Sequence, residues 1–343
     1  MATAIESGIG TTNYGRQSAK GTKATAATIT VGYDRIKWTG DAPLKVNKKL
    51  GAKEYVDGQR FGSPTRFTDS VGGEVGMIGF HAQPENVGLY SAAILGVDTV
   101  TGASDPYTHT STSAGTTGQW GTWWQKVGSA VGPVRLMFWD SKVAKLTYTS
   151  NFADKVLTGE LDIQALSAEV YSTDPAKTEA TSDPYLHTEA AGAFTLDSLV
   201  VPEVNEAVTT IDTKMSPYFG DNITPIHLIE GKGAITQSMK AITTGDTIGK
   251  FNKAVFGTAT PSAGAVPVKD VFSAATSIVY TRSATRTFSI ICPKVDIDPE
   301  NLVIGAQAEG GPIPLDFTGT CRKDGSTPAI TTVALTAESG SYA

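Results

Sequence analysis

The sequence predicts a mainly β protein built from two tandem units, each with one short flanking α-helix. Its 343 residues are rich in Gly, Thr, Ser and Ala, with many short Val/Ile/Thr runs, a composition typical of antiparallel strands joined by tight turns. Only two segments show a helical stripe, each about 10 residues long. Both stripes follow a strand-like segment, so the same strand–helix pattern occurs twice.

The first strand–helix segment covers residues 73–96. Its extended half, Gly73-Glu74-Val75-Gly76-Met77-Ile78-Gly79-Phe80-His81, is punctuated by glycine. In the second half, Val87, Tyr90 and Ile94 recur at i, i+3 and i+7, and Gly96 suits a left-handed C-terminal cap. We therefore predict a strand followed by a helix that packs through Val87, Tyr90 and Ile94.

The second segment, residues 233–257, repeats this skeleton with Ile248, Phe251 and Val255 at the helix-packing positions. Further correspondences follow in the same order along the chain. Lys142-Val143 matches Lys294-Val295, and Leu161-Asp162-Ile163 matches Leu315-Asp316-Phe317. An ordered set of such matches predicts an internal duplication.

The duplication divides the chain into an arm, two units and a linker. Residues 1–27 form a Gly/Thr/Ala/Ser-rich N-terminal arm without a core of its own. The first unit covers 28–171 and the second 193–343. The Pro- and Gly-containing stretch 172–192 is predicted to link them.

Charge is distributed unevenly along the chain. The net charge is −6, yet through Arg60 there are ten Lys and Arg against five Asp and Glu, and beyond it 18 against 29. A basic arm and an acidic body can attract one another between identical subunits, or both can be solvated surface. The acidic body argues against tight nucleic-acid binding, which needs cations to replace counterions. No apolar run reaches the length of a membrane helix, and no secretory signal is expected at the start.

No catalytic or metal-binding pattern is found. The histidines, at positions 81, 109, 187 and 227, lie in no metal-ligand spacing, and no phosphate loop or nucleophile elbow occurs. Asp296-x-Asp298-x-Glu300 lacks the spacing of a calcium loop and is interpreted as a polar turn. Cys292 and Cys321 are expected to be buried free thiols in a reducing compartment. We expect neither a cofactor nor an enzymatic activity.

Several ordered motifs resemble the tail tube proteins of long-tailed bacteriophages. They are Tyr14-Gly15-Arg16-Gln17-Ser18-Ala19-Lys20-Gly21-Thr22, the Gly88-Leu89-Tyr90 helix ending in Leu95-Gly96, Tyr107-Thr108-His109-Thr110, Lys142-Val143-Ala144-Lys145-Leu146 and Lys323-Asp324-Gly325-Ser326-Thr327-Pro328-Ala329-Ile330-Thr331. The resemblance covers about residues 14–337. The excursion 97–133, which carries Trp120, Trp123 and Trp124, departs from the family pattern.

The resemblance implies a tail-tube-type β-sandwich or partial barrel in each unit. Such subunits join edge to edge into rings, and the rings stack into a hollow tube for DNA ejection in the virion tail, assembled in the host cytoplasm. The implied partners are other copies of the chain, the tape measure protein, the tail terminator and tail-tip proteins, and transiting double-stranded DNA without tight binding. No membrane is involved. If each chain holds two units, a ring needs three chains with pseudo-sixfold symmetry.

Two sets of residues are assigned within that expectation. Candidate lumen-facing acidic residues are Glu160, Asp162, Asp296, Asp298 and Asp316, although an outer face is an open alternative. Candidate inter-subunit contacts are Arg16, Lys20, Lys48, Lys49, Trp120, Trp123 and Trp124. The tryptophans either anchor the chain on another surface or fold back onto their own unit.

Two other functions stay open. The first is a secreted or surface β-rich protein that uses the Trp-bearing loop to bind carbohydrate. The second is a hydrolase with a dispersed active site, against which the scattered histidines and the missing catalytic motifs both argue. Neither rests on a motif as extensive as the tail-tube resemblance.

Overall fold

The chain folds as a mainly β protein with large antiparallel sheets, consistent with a β-sandwich. The computed structural model describes residues 10–26, 29–32, 44–46, 48–53, 65–114, 117–128, 133–177, 180–190, 193–201, 204–242, 244–269, 271–297, 303–304, 314–337, 339–340 and 342. Over these ranges no helix has both the length and the apolar character needed to cross a membrane.

The strands occur in two groups, one before and one after a short 3₁₀ helix at His187–Ala190. The first group is β1 (Gly10–Arg16), β2 (Ile29–Gly32), β3 (Lys48–Lys53), β4 (Thr65–Val71), β5 (Gly73–His81), β6 (Asp98–Thr101), β7 (Tyr107–Thr112), β8 (Gly121–Val127), β9 (Val134–Asn151) and β10 (Leu157–Val170). The second group is β11 (Phe194–Leu196), β12 (Leu199–Val200), β13 (Val204–Asp212), β14 (Ser216–Tyr218), β15 (His227–Ile229), β16 (Ala234–Ile242), β17 (Phe272–Ser283), β18 (Arg286–Ile297), β19 (Val303–Ile304), β20 (Pro314–Cys321) and β21 (Thr331–Thr336).

Two long strands each change partner along their length. One edge of β9 pairs first with β8 and then with β13, while its other edge pairs with β10. Likewise β18 pairs first with β21 and then with β20, and its other edge pairs with β17. Through these forks the strands concerned join one 17-stranded sheet among the described residues.

The two predicted units share both a sheet and a core. Strand β13 of the second unit pairs with β9 of the first, and β21 pairs with β7. A single cluster of buried apolar side chains runs from Tyr14 to Tyr342. The duplication itself stays a prediction. The matched strands β10 and β20 have equivalent partners. Strand β10 pairs with β5, which precedes the first helix, and β20 pairs with β16, which precedes the second.

The predicted helices are confirmed, but their burial differs. The first, α1 (Val87–Leu95), ends at Gly96 with φ 80°, and the second, α2 (Gly245–Phe256), ends at Gly257 with φ 72°. Every residue of α1 is buried, including Val87, Tyr90 and Ile94, because the helix carries no charged side chain. It packs against β7, β9 and β21.

The described residues cover one face of α2. Phe251 and Val255 are half-buried, whereas Ile248 is 42 % exposed. Assigning Ile248 to helix packing is therefore wrong as far as the described residues go, since none of them buries its side chain. Thr244 caps the helix through a reciprocal pair of hydrogen bonds with Thr247.

Three segments predicted as irregular are structured. Residues 10–16 of the arm form β1, which pairs with β2 and β8 and buries Tyr14. The excursion 97–133 contains β6, β7 and β8. The expected linker packs onto the body, since Tyr185 is fully buried and bonds through its backbone to Leu157 and Ala82. In the arm and the excursion, β1 pairs with β8 and β7 with β21, which are distant in sequence, whereas β6 and β7 pair as sequence neighbours.

Candidate functional site

One exposed sheet surface collects most of the predicted acidic residues. It is formed by the outward-pointing side chains of β5, β10, β9, β13, β16 and β20, together with Asp296 of β18, and we call it the polar sheet face. Alternation along each strand places the other residues in the core: Leu146, Leu161 and Ile211 are opposite one another and buried. The face therefore spans strands of both predicted units.

The register defines the central row of this face. Glu160 on β10 is opposite Thr147 on β9, and from there the row continues through threonines to Asp296 on β18. The members in order are Gly79, Glu160, Thr147, Thr210, Thr236, Thr320 and Asp296. Directly opposite residues point to the same side of a sheet, so these hydroxyls and carboxylates share one surface. The Oγ1 atoms of Thr147 and Thr210 are 3.3 Å apart.

Neighbouring rows add charge on the same surface. One row runs Met77, Asp162, Lys145, Asp212 and Ala234, and another runs Asn151, Glu206, Lys240 and Asp316. Lys240 Nζ bonds Glu206 at 2.8 Å. Across these rows carboxylates outnumber lysines, so the polar sheet face has a net negative charge.

Asp162 is the most perturbed carboxylate of the face. Partial burial, together with the charges of Glu74, Asp212 and Glu160, raises its pKa to about 6. Lys145, directly opposite on β9, acts in the other direction but does not outweigh these effects. Asp212 differs, because hydrogen bonds from Lys214 lower its pKa despite desolvation.

Four of the five predicted acidic residues lie on this surface. They are Glu160, Asp162, Asp296 and Asp316, and Asp298 lies outside the described residues. Asp296 is also held by Arg322 at 2.5 Å and by the Ser273 hydroxyl at 2.6 Å. Sequence reasoning missed Glu206, Asp212 and the threonine rows. The Thr-x-Thr alternation at Thr147–Thr149 and Thr318–Thr320 was the available signal.

The basic residues assigned to subunit contacts come from different elements. Arg16, Lys48 and Lys49 are exposed on β1 and β3. Lys20 instead bonds its own chain, since its Nζ donates to the carbonyl of Ile226 at 2.8 Å beside His227. This contact ties the N-terminal segment to the β14–β15 hairpin.

The tryptophans fold back onto their own chain. Trp123 is fully buried against Tyr14 and Tyr90, with ring centroids 4.7 and 6.2 Å away, and Trp124 is 4 % exposed beside Met137. The expected subunit contact is therefore wrong for Trp123 and Trp124, because both rings are buried where β8 packs against the rest of the chain.

Trp120 is half-buried and covers an ion pair that joins the two predicted units. Lys142 Nζ lies 4.6 Å from the Trp120 ring centroid and 2.5 Å from Glu230 Oε1. The backbone N–H of Gly118 donates to both Glu230 oxygens, at 3.0 and 3.1 Å. Trp120 therefore also has an intrachain role, shielding the pair from water.

The described residues show no metal centre. Nowhere in them do three or more His, Cys, Asp or Glu side chains come together as a metal site. Two histidines are used internally instead. His109 Nδ1 is 3.0 Å from Asp98 Oδ2, and His187 lies between Ser150 Oγ at 2.8 Å and the Val204 carbonyl at 2.7 Å. Both rings are buried.

Two sequence comparisons find no relative of this chain. No protein-family model matches the chain, and a search of curated protein sequences also finds no match.

Proposed function

We propose that this chain is a structural subunit of a phage tail tube, non-enzymatic, which assembles into stacked rings around a hollow conduit for DNA. The observation that carries the proposal is the polar sheet face, a continuous surface of threonines and carboxylates supplied by strands of both predicted units. A conduit for DNA needs a hydrated wall that does not bind phosphates. A surface with excess carboxylate repels the duplex and so reduces sticking.

The ring stoichiometry follows from the predicted duplication. If each unit occupies one of six positions, three chains complete the ring with pseudo-sixfold symmetry. Contacts between chains would be made by free strand edges, which are templates for pairing with another copy. The tape measure protein, tail terminator and tail-tip proteins are the further partners of this proposal.

The carbohydrate-binding alternative has lost its main support. It depended on tryptophans presented by a loop, and Trp123 and Trp124 are buried within the chain. Stacking on a sugar ring needs an exposed aromatic face, which these two side chains do not offer.

Electron microscopy tests the proposal directly. The purified protein at high concentration is examined by negative stain, and its assemblies are then analysed for symmetry by cryo-EM. We expect rings or tubes of constant width with three chains per ring. Six chains per ring would overturn the stoichiometry, and a protein that stays monomeric under all assembly conditions would overturn the function.

A further inference from the structure

Two cysteines meet at the point where β18 changes partner. Residues 288–291 pair with β21 and residues 295–297 with β20, leaving Cys292, Pro293 and Lys294 between the two ladders. Pro293 has no backbone N–H to donate to either ladder. Cys321 on β20 is opposite Val295, at the point where β18 begins to pair with β20.

The sulfur atoms are already in contact. Cys292 Sγ and Cys321 Sγ are 3.0 Å apart, both thiols are free, and the residues are 0 % and 6 % exposed. A disulfide needs an S–S distance of about 2.05 Å, so the atoms must approach by roughly 1 Å. We propose that Cys292 and Cys321 are an oxidation site that forms an intrachain disulfide joining β18 to β20.

The chemistry is a thiol–disulfide exchange with a small disulfide such as oxidised glutathione. One cysteine thiolate attacks the oxidant, forming a mixed disulfide and releasing one glutathione thiolate. The second cysteine thiolate then attacks the protein sulfur of that mixed disulfide and releases the second glutathione. Two protein thiols are oxidised and one oxidant disulfide is reduced to two thiols.

Burial controls when this reaction can occur. The contact with Cys292 and desolvation raise the pKa of Cys321 well above the ordinary value, so the folded state holds neutral, inaccessible thiols. Oxidation of the folded chain should therefore be slow. During refolding, before β18 and β20 close over the sulfurs, both thiols are accessible and the bridge can form quickly.

The disulfide would hold β18 and β20 together at the point where β18 changes partner. It closes a loop between positions 29 residues apart and restricts the unfolded chain, which is the main route by which disulfides stabilise proteins. For a chain of this size we expect the melting temperature to rise by roughly 5 °C.

The test compares refolding with and without oxidant. The unfolded, reduced protein is refolded in oxidised glutathione, denatured, and treated with N-ethylmaleimide before mass spectrometry and non-reducing peptide mapping. We expect no maleimide on the chain, a peptide pair linking Cys292 to Cys321, and a melting temperature that falls when the bridge is reduced. Folded protein given the same oxidant should retain most of its thiols over the same time.

The double variant Cys292→Ala/Cys321→Ala is the matched control, and its melting temperature should not respond to oxidant. The proposal is overturned if the refolded chain takes up two maleimides, carries glutathione on both cysteines, or links only between chains. These readouts use the single chain, so they do not depend on tube assembly.

Discussion

Asp162 shows how the sheet environment changes the chemistry of a single residue. Its carboxylate is partly buried and has Glu74, Asp212 and Glu160 as neighbours, and its pKa rises to about 6. An aspartate in an unfolded chain titrates near 3.9. The folded protein therefore binds this proton more tightly than the unfolded chain, and at neutral pH it holds an unfavourable charge here.

Substituting Asp162→Asn should stabilise the protein at neutral pH. The pKa is raised on folding, so the charge at Asp162 removes stability as pH rises from about 4 to about 6, and the loss is complete above that range. Because the side chain is partly exposed and screened by solvent, we expect a gain on the order of 1 kcal/mol at pH 7. Urea denaturation at pH 7 and near pH 4 measures the difference.

The two pH values serve as an internal control. Near pH 4 the folded protein already carries protonated Asp162, so wild type and variant should have similar unfolding free energies. A gain that is as large at pH 4 as at pH 7 would show that the asparagine acts through packing or hydrogen bonding and not through charge.

At the scale of elements, the Lys142–Glu230 pair connects β9 to the segment between β15 and β16. The Lys142 side chain is 4 % exposed and that of Glu230 15 %. Removing one partner of a buried pair leaves an uncompensated charge, which costs more than the pair itself contributes. We therefore expect Glu230→Gln to lower the unfolding free energy by roughly 3 kcal/mol, measured by chemical denaturation.

The double variant Lys142→Met/Glu230→Gln separates this effect from general damage to the fold. It leaves no buried charge, so it should recover part of the stability lost in Glu230→Gln. Two single-variant losses that simply add in the double variant would contradict coupling between these side chains.

Local sequence patterns predicted both helices and the strand that precedes each of them, but not the strands of the N-terminal arm and of the excursion 97–133. The i, i+3, i+7 stripes and the terminal glycines located α1 and α2 because helix signals are local. Strand β8 was missed because Gly121–Gln125 is buried on both sides, so no polar alternation marks it. Tyr185 was assigned to a linker although it is fully buried, since its partners lie far away in the chain.

The polar sheet face could be predicted only in part, because the pairing of strands that are distant in sequence is not visible in local patterns. Acidic residues near strands were visible in the sequence, but which of them share a row depends on register between strands. Ile78 lies three residues before the end of β5 and is opposite Leu161. The equivalent position of β16 is Met239, which is opposite Phe317. The strand pairing therefore matches Leu161 with Phe317, whereas the sequence comparison matches it with Leu315, two residues earlier. A two-residue offset keeps the same face of the strand outward.

For the whole molecule, the proposed function makes the sign of charge on the polar sheet face the property to test. Glu160 and Asp316 lie on strands of different predicted units, β10 and β20, and both point outward on this face. In a tube whose wall is this face, Glu160→Lys/Asp316→Lys would replace repulsion of phosphates by attraction. Assembled tubes of the variant should then retain labelled double-stranded DNA in a sedimentation assay at low salt, and wild-type tubes should not.

The retention should decrease steeply as salt increases, because cationic contacts with phosphates release counterions. A control with the same change of charge, Asp221→Lys/Asp324→Lys, alters exposed turn positions outside the strands of the face. If the control tubes retain as much DNA as the Glu160→Lys/Asp316→Lys tubes, net charge alone explains binding and the polar sheet face is not the wall. If only the face variant retains DNA, the position of the charge determines binding, as a DNA conduit lined by this surface requires.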